Sequence, residues 1–531
     1  MINGRRIIDN SRAIAAEGVF CAACLGLAIT LLLAPLVHGQ QGGTPQGAAA
    51  YLQRGLQALE AGQVERAIGE LERAVQMQPD SVEARYHLGR ALFTAERASE
   101  ALPHLEEALR LIEEGGPVQF LLAQVYLQLG RFEEAGAALD AAAASRPGYA
   151  PISYYRAELC YRLGKLNVAR DLLEKVIEAT PEWNLPLVRA GTVAMDLGDA
   201  QAAVLWFRVA VDLDTSGTNA RLWMRLASAY AAANQVEQAI DGYRRAVAAR
   251  PRLLPPRVAL MNQLSGLQKH DELLEVIDAL FLIHPDNPLG HYQRAQVLSL
   301  RGETDAALAE VEIAVQGFEE QATDLSEAVD TGADEPGPDE SAGRHTYLTL
   351  AKGLHMQLLQ KAGRDDEAEA VARELVDEAP WYPEAHFVLG TLLLRKRDAA
   401  GREEMEVFKQ LSDAREHRDL GNYYVEQVTD LGRAAAEYET ALASWPGDNF
   451  SRIRLARMRR LMGDPGAALE LLGSADPEGV EVKDWYQEMI LALHAVGRTE
   501  QATEYWQDAR AAGHIYGPEV WRAMREGIPG C

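Results

Sequence analysis

Three aromatic residues, Tyr86, Phe120 and Tyr154, stand 34 residues apart, and each is followed four places later by a polar residue: Arg90, Gln124 and Glu158. Rings in such a row anchor apolar segments, while guanidinium, amide and carboxylate groups hydrogen-bond a backbone, so the chemistry on offer is recognition. Phe93 and Tyr161 follow Tyr86 and Tyr154 by seven residues and widen the apolar row. Further along, Tyr292 continues the apolar row, and Asn262 and Gln296 continue the polar one.

Bond-making chemistry finds no comparable pattern. The chain has no HExxH pair, no phosphate-binding glycine loop and no GxSxG turn. Its twelve histidines are scattered: a proline-containing turn separates His284 from His291, and His345 and His355 are ten residues apart. Acidic pairs, as in "LEEAL" and "RDDEAE", suit solvated helix faces. Cys21 and Cys24 lie in an apolar N-terminal stretch; Cys160 reads as a small buried hydrophobe and Cys531 as the end of the chain. The expectation is a chain that is no enzyme, with no catalytic residue, no metal and no cofactor. A formal net charge of −26 repels polyphosphates and argues against a nucleic-acid partner.

Rows with a 34-residue period require elements with that period. "LGRFEEAGAALDAAAASRPGYA" holds Gly130, Ala135, Leu139, Ala142 and Pro147, and the same offsets return as Gly62, Ala67, Leu71, Ala74, Pro79 and as Gly164, Ala169, Leu173, Val176, Pro181. Upstream of each lies a second apolar stripe with helical spacing, such as "YHLGRAL". Repeat starts fall at 48, 82, 116, 150, 184, 220, 254, 288, 349, 383, 415, 449 and 483. Nine intervals are 34 residues; the others are 36, 61 and, from 383 to 415, 32. Each unit reads as two short helices. A helix of a dozen residues is marginal alone, and a pair still exposes an apolar face, so the pairs must stack. Within a unit, Gly or Ala at position 8 and Ala at position 20 allow close crossing, Gly at position 15 suits the turn, and Pro at position 32 stops the second helix. The unit at 383 fits poorly in its second half, where Arg402 takes the small-residue slot.

These residues resemble the tetratricopeptide repeat (TPR) family, most fully in Trp223, Leu226, Ala227, Tyr230, Ala239, Tyr243, Ala246 and Pro251. The resemblance covers roughly 48–512 and implies an all-α, superhelical solenoid of about thirteen helix-turn-helix repeats. It also implies that first helices line a concave groove that takes a peptide or partner helix, with Tyr86, Arg90, Phe93, Phe120, Gln124, Tyr154, Glu158, Tyr161, Asn262, Tyr292 and Gln296 as its lining. The competing reading of the rings is packing between adjacent first helices.

The ends complete the expected organisation. Arg5, Arg6 and Arg12 precede an uncharged run from Val19 to Val37, and small residues surround a cleavage point after Gly39. Residues 1–39 therefore read as a signal peptide or a membrane anchor, and 40–47 as a short linker. Repeats fill 48–316 (about eight) and 345–512 (about five). An acidic insertion at 317–344, with nine acidic residues and two prolines, divides them; "EIAVQGFEEQATDLSEAV" can prolong the second helix of the unit at 288, and "DTGADEPGPDESAG" then reads as a flexible loop or hinge. Residues 513–531 would cap the last repeat. Arginine outnumbers lysine 44 to 8, and with this leader the expectation is a bacterial protein, periplasmic or secreted, or held on the inner membrane facing the periplasm. The function expected is a scaffold or assembly factor of the cell envelope; the alternative is a carbohydrate-binding or exopolysaccharide-related accessory subunit to a partner enzyme.

Overall fold

The computed structural model describes residues 45–113, 115–331, 338–475, 482–511 and 520. Among them the chain is helical and contains no β-strand. It divides into two compact units, one reaching Gly242 and one from Tyr243 to Arg525.

The first unit contains α1 (Pro45–Glu60), α2 (Val64–Met77), α3 (Val82–Thr94), α4 (Ala98–Arg110), α5 (Gly116–Gln128), α6 (Phe132–Ser145), α7 (Ala150–Arg162), α8 (Leu166–Ala179), α9 (Asn184–Asp196), α10 (Ala200–Leu213) and α11 (Ala220–Ala232). The next helix, α12 (Val236–Ala249), carries the boundary. Consecutive helices pair, and each pair packs on the next. The alanines at position 20 of the repeats, Ala67, Ala101, Ala135, Ala169 and Ala203, are fully buried where the two helices of a pair cross. Opposite them position 8 is small for a steric reason: a Cβ on Gly89 would stand 2.5 Å from Leu105, and one on Gly191 would stand 2.6 Å from Phe207. Each first helix also shares a core with the pairs on both sides, as where Tyr154, Leu173, Leu187, Phe207 and Leu226 form one cluster.

The second unit contains α13 (Leu254–Gly266), α14 (His270–Phe281), α15 (Pro288–Arg301), α16 (Thr304–Thr331), α17 (Pro338–Lys361), α18 (Asp365–Glu378), α19 (Pro383–Arg395), α20 (Ala400–Tyr423), α21 (Leu431–Ser444), α22 (Asn449–Leu461), α23 (Pro465–Gly473), α24 (Val482–Ala495) and α25 (Thr499–Ala511). One position ties both units to the repeat numbering. Position 15 is left-handed in every unit: Gly62, Gly130, Gly164, Gly198, Gly302, Gly363, Gly463 and Gly497, but also Glu96, Asn234, Gln268, Arg397 and Thr429. The turn geometry persists even where a side chain makes it costly.

Three expectations meet the structure here. Residues 317–331 prolong α16, as the sequence allowed, and Ala295, Leu308 and Val311 share a core with Met356, Leu359 and Leu389 on the far side of the insertion. Phe318 stacks on Tyr347 at 6.0 Å. The flexible stretch is also shorter than expected, because Pro338, pre-set for a first helical turn, opens α17; residues 332–337 lie outside the described residues. Third, the units at 383 and 415 are not separate pairs. The 32-residue interval removes the turn between them, no proline replaces it, and α20 runs unbroken for 24 residues. It ends in a π-turn (Tyr424–Val428) before α21. Within the 383 unit the small slot is filled by Gly401, whose Cβ would come within 2.8 Å of the Gly390 carbonyl, while Arg402 is exposed. Cys160 is buried, as expected.

Helix α1 takes in the last three residues of the expected linker, with Pro45 as its first residue. The leader, residues 1–39, lies outside the described residues. So does the terminal cap, except Val520, which is buried with Trp485, Ile490 and Trp506. Among the described residues no helix is long and apolar enough to cross a membrane.

Candidate functional site

In the first unit, α3, α5, α7 and α9 bring the predicted rows together. The rings are the better buried part. Tyr86, Tyr154 and Tyr161 are each under a tenth exposed. Tyr154 lies 5.1 Å from the Trp183 ring and 5.2 Å from Tyr155. Burial raises the hydroxyl pKa of Tyr86 and Tyr154, and pushes that of Tyr161 to about 12, helped by the neighbouring Asp196 carboxylate. Phe120 is half-buried, edge-on to Tyr155 at 5.4 Å and Tyr149 at 6.0 Å. These rings therefore pack between neighbouring repeats. Phe120 and Phe93 keep part of their surface toward solvent.

The polar row is partly occupied from within. Glu158, buried, takes Arg189 of the next first helix at 2.6 Å and Arg162 of its own at 3.1 Å, and the Arg189 guanidinium lies over the Tyr161 ring at 4.7 Å. One repeat further, Arg225 donates to Thr192 at 2.8 Å. In the second unit, Gln293 donates to Asn262 at 2.8 Å. In each case position 6 of one first helix reaches position 9 of the preceding one, so this row ties repeats together. Gln124 turns back to its own helix, donating to the Phe120 carbonyl at 3.3 Å. Half-buried Arg90 stands near Tyr86 and His87. On α15, Tyr292 is buried and its hydroxyl accepts from Gln296 at 2.8 Å; burial pushes the Tyr292 pKa to about 12.

Arg90, Phe93, Phe120 and Gln124 therefore remain within reach of a partner in the first unit, while Tyr86, Tyr154, Glu158 and Tyr161 shape the floor behind them. In the second unit Gln296 is partly exposed and Asn262 exposed.

Position 4 of the first helices carries a signal that sequence reasoning missed. His291 donates from Nε2 to the Pro285 carbonyl at 2.8 Å and meets Glu310 through Nδ1 at 2.6 Å. His386 does the same with Pro380 at 3.0 Å and Glu404 at 2.6 Å. Arg85, Arg257 and Arg452 hold Pro79, Pro251 and Pro446 in the same way. The signal is a donor six residues after the helix-stopping proline, where it satisfies a carbonyl at the turn.

Two further charged sites are structural. Lys352, its side chain 4% exposed, contacts Glu319, Glu374 and Glu378 at 3.2, 2.5 and 3.0 Å. Burial disfavours its charge, but these carboxylates outweigh that and hold the ammonium above its ordinary pKa. Glu488, buried, pairs with Arg460 at 2.7 Å. Among the described residues no group of three or more His, Cys, Asp or Glu is placed to hold a metal ion.

Comparison with known proteins follows the repeat boundaries. A tetratricopeptide repeat family model matches residues 52–115, 120–182 and 188–253, and a second model of the same repeat matches 92–147. No curated protein matches the chain. Among solved structures it is similar to PilW, described as a widely conserved type IV pilus biogenesis factor, at 16% identity over 42% of this chain and 100% of that one, with a TM-score of 0.37. It is similar to Pseudomonas aeruginosa PilF at 17% identity over 42% of this chain and 98% of that one, TM-score 0.35. MamA aligns at 23% identity over 32% of this chain and 96% of that one, TM-score 0.30.

Proposed function

We propose that the whole chain is built of tetratricopeptide repeats, as the match of residues 52–253 to the family model supports, and that it is a non-catalytic scaffold of the bacterial cell envelope, holding an extended or helical segment of a partner protein against its first helices. The observation that carries this reading is the surface of α3 and α5. There Phe93 and Phe120 offer partly exposed rings beside Arg90 and Gln124, and the buried tyrosines behind them fix the backbone that presents them. A floor locked by packing limits the ordering cost of binding.

Export is part of the proposal. It rests on the arginines that precede the Val19–Val37 run. The chain would act in the periplasm or outside the cell, or on the inner membrane if its leader is retained.

The test is affinity purification of the full chain from envelope extract, wild type against the triple variant Arg90→Ala, Phe120→Ala, Gln124→Ala. The expected result is a protein retained by the wild type and lost by the variant while helical circular dichroism is unchanged. Equal retention by both, or binding on a glycan array with no protein retained, would overturn it.

A further inference from the structure

The lost turn at 414–415 leaves one long uninterrupted helix face in the second unit. Between α18 and α19 the chain turns through Ala379–Tyr382, and the next first helix starts afresh. In α20 the second helix of one repeat continues directly into the first helix of the next. Phe408, Ser412, Arg415, Glu416, Asp419, Leu420 and Tyr423 therefore fall at i, i+4, i+7, i+8, i+11, i+12 and i+15 on a single face. At 1.5 Å per residue that face is about 22 Å long. It forms one wall of a cleft of about 580 Å³, whose other wall is Pro383 and Glu384 at the start of α19. Phe387, one turn further along α19, lies 5.1 Å from the Phe408 ring and is 43% exposed. Leu420 and Tyr423 are also exposed.

Exposed apolar side chains in a row cost free energy unless something covers them. The charges beside them indicate what. Glu384 faces Arg415 at 3.6 Å. Glu416 and Asp419 are both exposed. The cleft thus carries an apolar stripe along which Glu416 and Asp419 have no ion-pair partner among the described residues.

We propose that this cleft seats a cationic amphipathic helix of a partner protein. Its apolar stripe would lie on Phe387, Phe408, Leu420 and Tyr423, and lysines or arginines along one edge would meet Glu416 and Asp419. Charge complementarity supplies register and encounter rate, and burial of the rings supplies most of the affinity. The proposal uses none of the residues on α3 and α5, so it stands or falls separately from the reading above.

The probe is a fluorescein-labelled 18-residue helical peptide of leucine and lysine, titrated by anisotropy against the full chain near physiological salt. Glu416→Lys with Asp419→Lys is expected to weaken binding about tenfold, and Leu420→Ala with Tyr423→Ala by a similar factor. Both pairs are exposed, so circular dichroism should not change. A control pair, Glu178→Lys with Glu182→Lys, alters net charge equally in the first unit and should shift the affinity by less than about twofold. Three results would each overturn the proposal: no loss from either cleft pair, equal loss from the control pair, or equally tight binding of a leucine–glutamate peptide.

Discussion

Acidification should loosen the second repeat through His87. This residue is buried in α3 with its ring 5.1 Å from Tyr86, and its Nδ1 has no hydrogen-bond partner among the described residues. Burial, with a smaller contribution from the Arg90 charge, lowers its pKa to about 3. The folded state therefore refuses a proton that the unfolded chain accepts below about 6.5, so stability rises with pH between about 3 and 6.5 and falls on acidification through that window. Going from pH 7 to pH 5, the unfolded side gains about 2 kcal/mol from this one group. That corresponds to about a 30-fold loss of amide protection. The variant His87→Leu removes the group while keeping the site apolar. Hydrogen exchange of α3, corrected for the intrinsic rate at each pH, should show the wild type losing about 30-fold more protection than the variant. The comparison must be a difference, because burial also lowers the pKa of His104 and His355. Equal pH dependence of wild type and variant in α3 would refute the reasoning, since it would mean that the ring is protonated where it lies or moves out to water at little cost.

Other outcomes follow from the packing and the turns. Gly89→Val places side-chain atoms against Leu105 and should destabilise the α3–α4 pair by about 2–3 kcal/mol, seen as earlier exchange there than in α9 and α10. Gln268→Gly and Arg397→Gly relieve left-handed strain and should each raise local stability by up to about 1 kcal/mol in urea melts; destabilisation would show that these side chains contribute more than the strain costs. Lys352→Met leaves Glu319, Glu374 and Glu378 facing one another and should loosen the contact of α16 with α17 by about 2 kcal/mol, with high salt restoring part of it. Glu158→Gln breaks the tie to Arg189 and should increase exchange at the α7–α9 junction while leaving α3 unchanged.

The period was legible in the sequence because close helix crossing and turn geometry act on single positions. Ala67, Ala101 and Ala135 admit no larger side chain, and position 15 fixes the turn, so chemistry repeats wherever geometry does. The interval of 32 was visible too, but its meaning depends on whether a helix with no proline and no room for a turn simply continues, which α20 does. The extension of α16 into the insertion was legible because a helix needs only one apolar face, and Phe318 supplies part of it; the start of α17 at Pro338 was not, because acidic composition around prolines signals a solvated loop. The aromatic row was legible as a row but not as a surface. Tyrosine serves equally as a core filler and as an anchor, and only the distances to Trp183 and Tyr155 separate the two uses. The donors at position 4 escaped notice because histidine and arginine differ in type while sharing one role.

The ties between positions 6 and 9 differ from junction to junction: an ion pair at Glu158–Arg189, a hydroxyl at Thr192–Arg225 and an amide pair at Asn262–Gln293. A chain built from segments of nearly equal length risks folding with one segment docked in its neighbour's place, since the apolar contacts alone would tolerate the exchange. Here a misplaced helix would leave a guanidinium opposite an amide, or a carboxylate without its cation. These three joints thus bear different locks and keys, and part of the assembly order is written into the seams between the repeats.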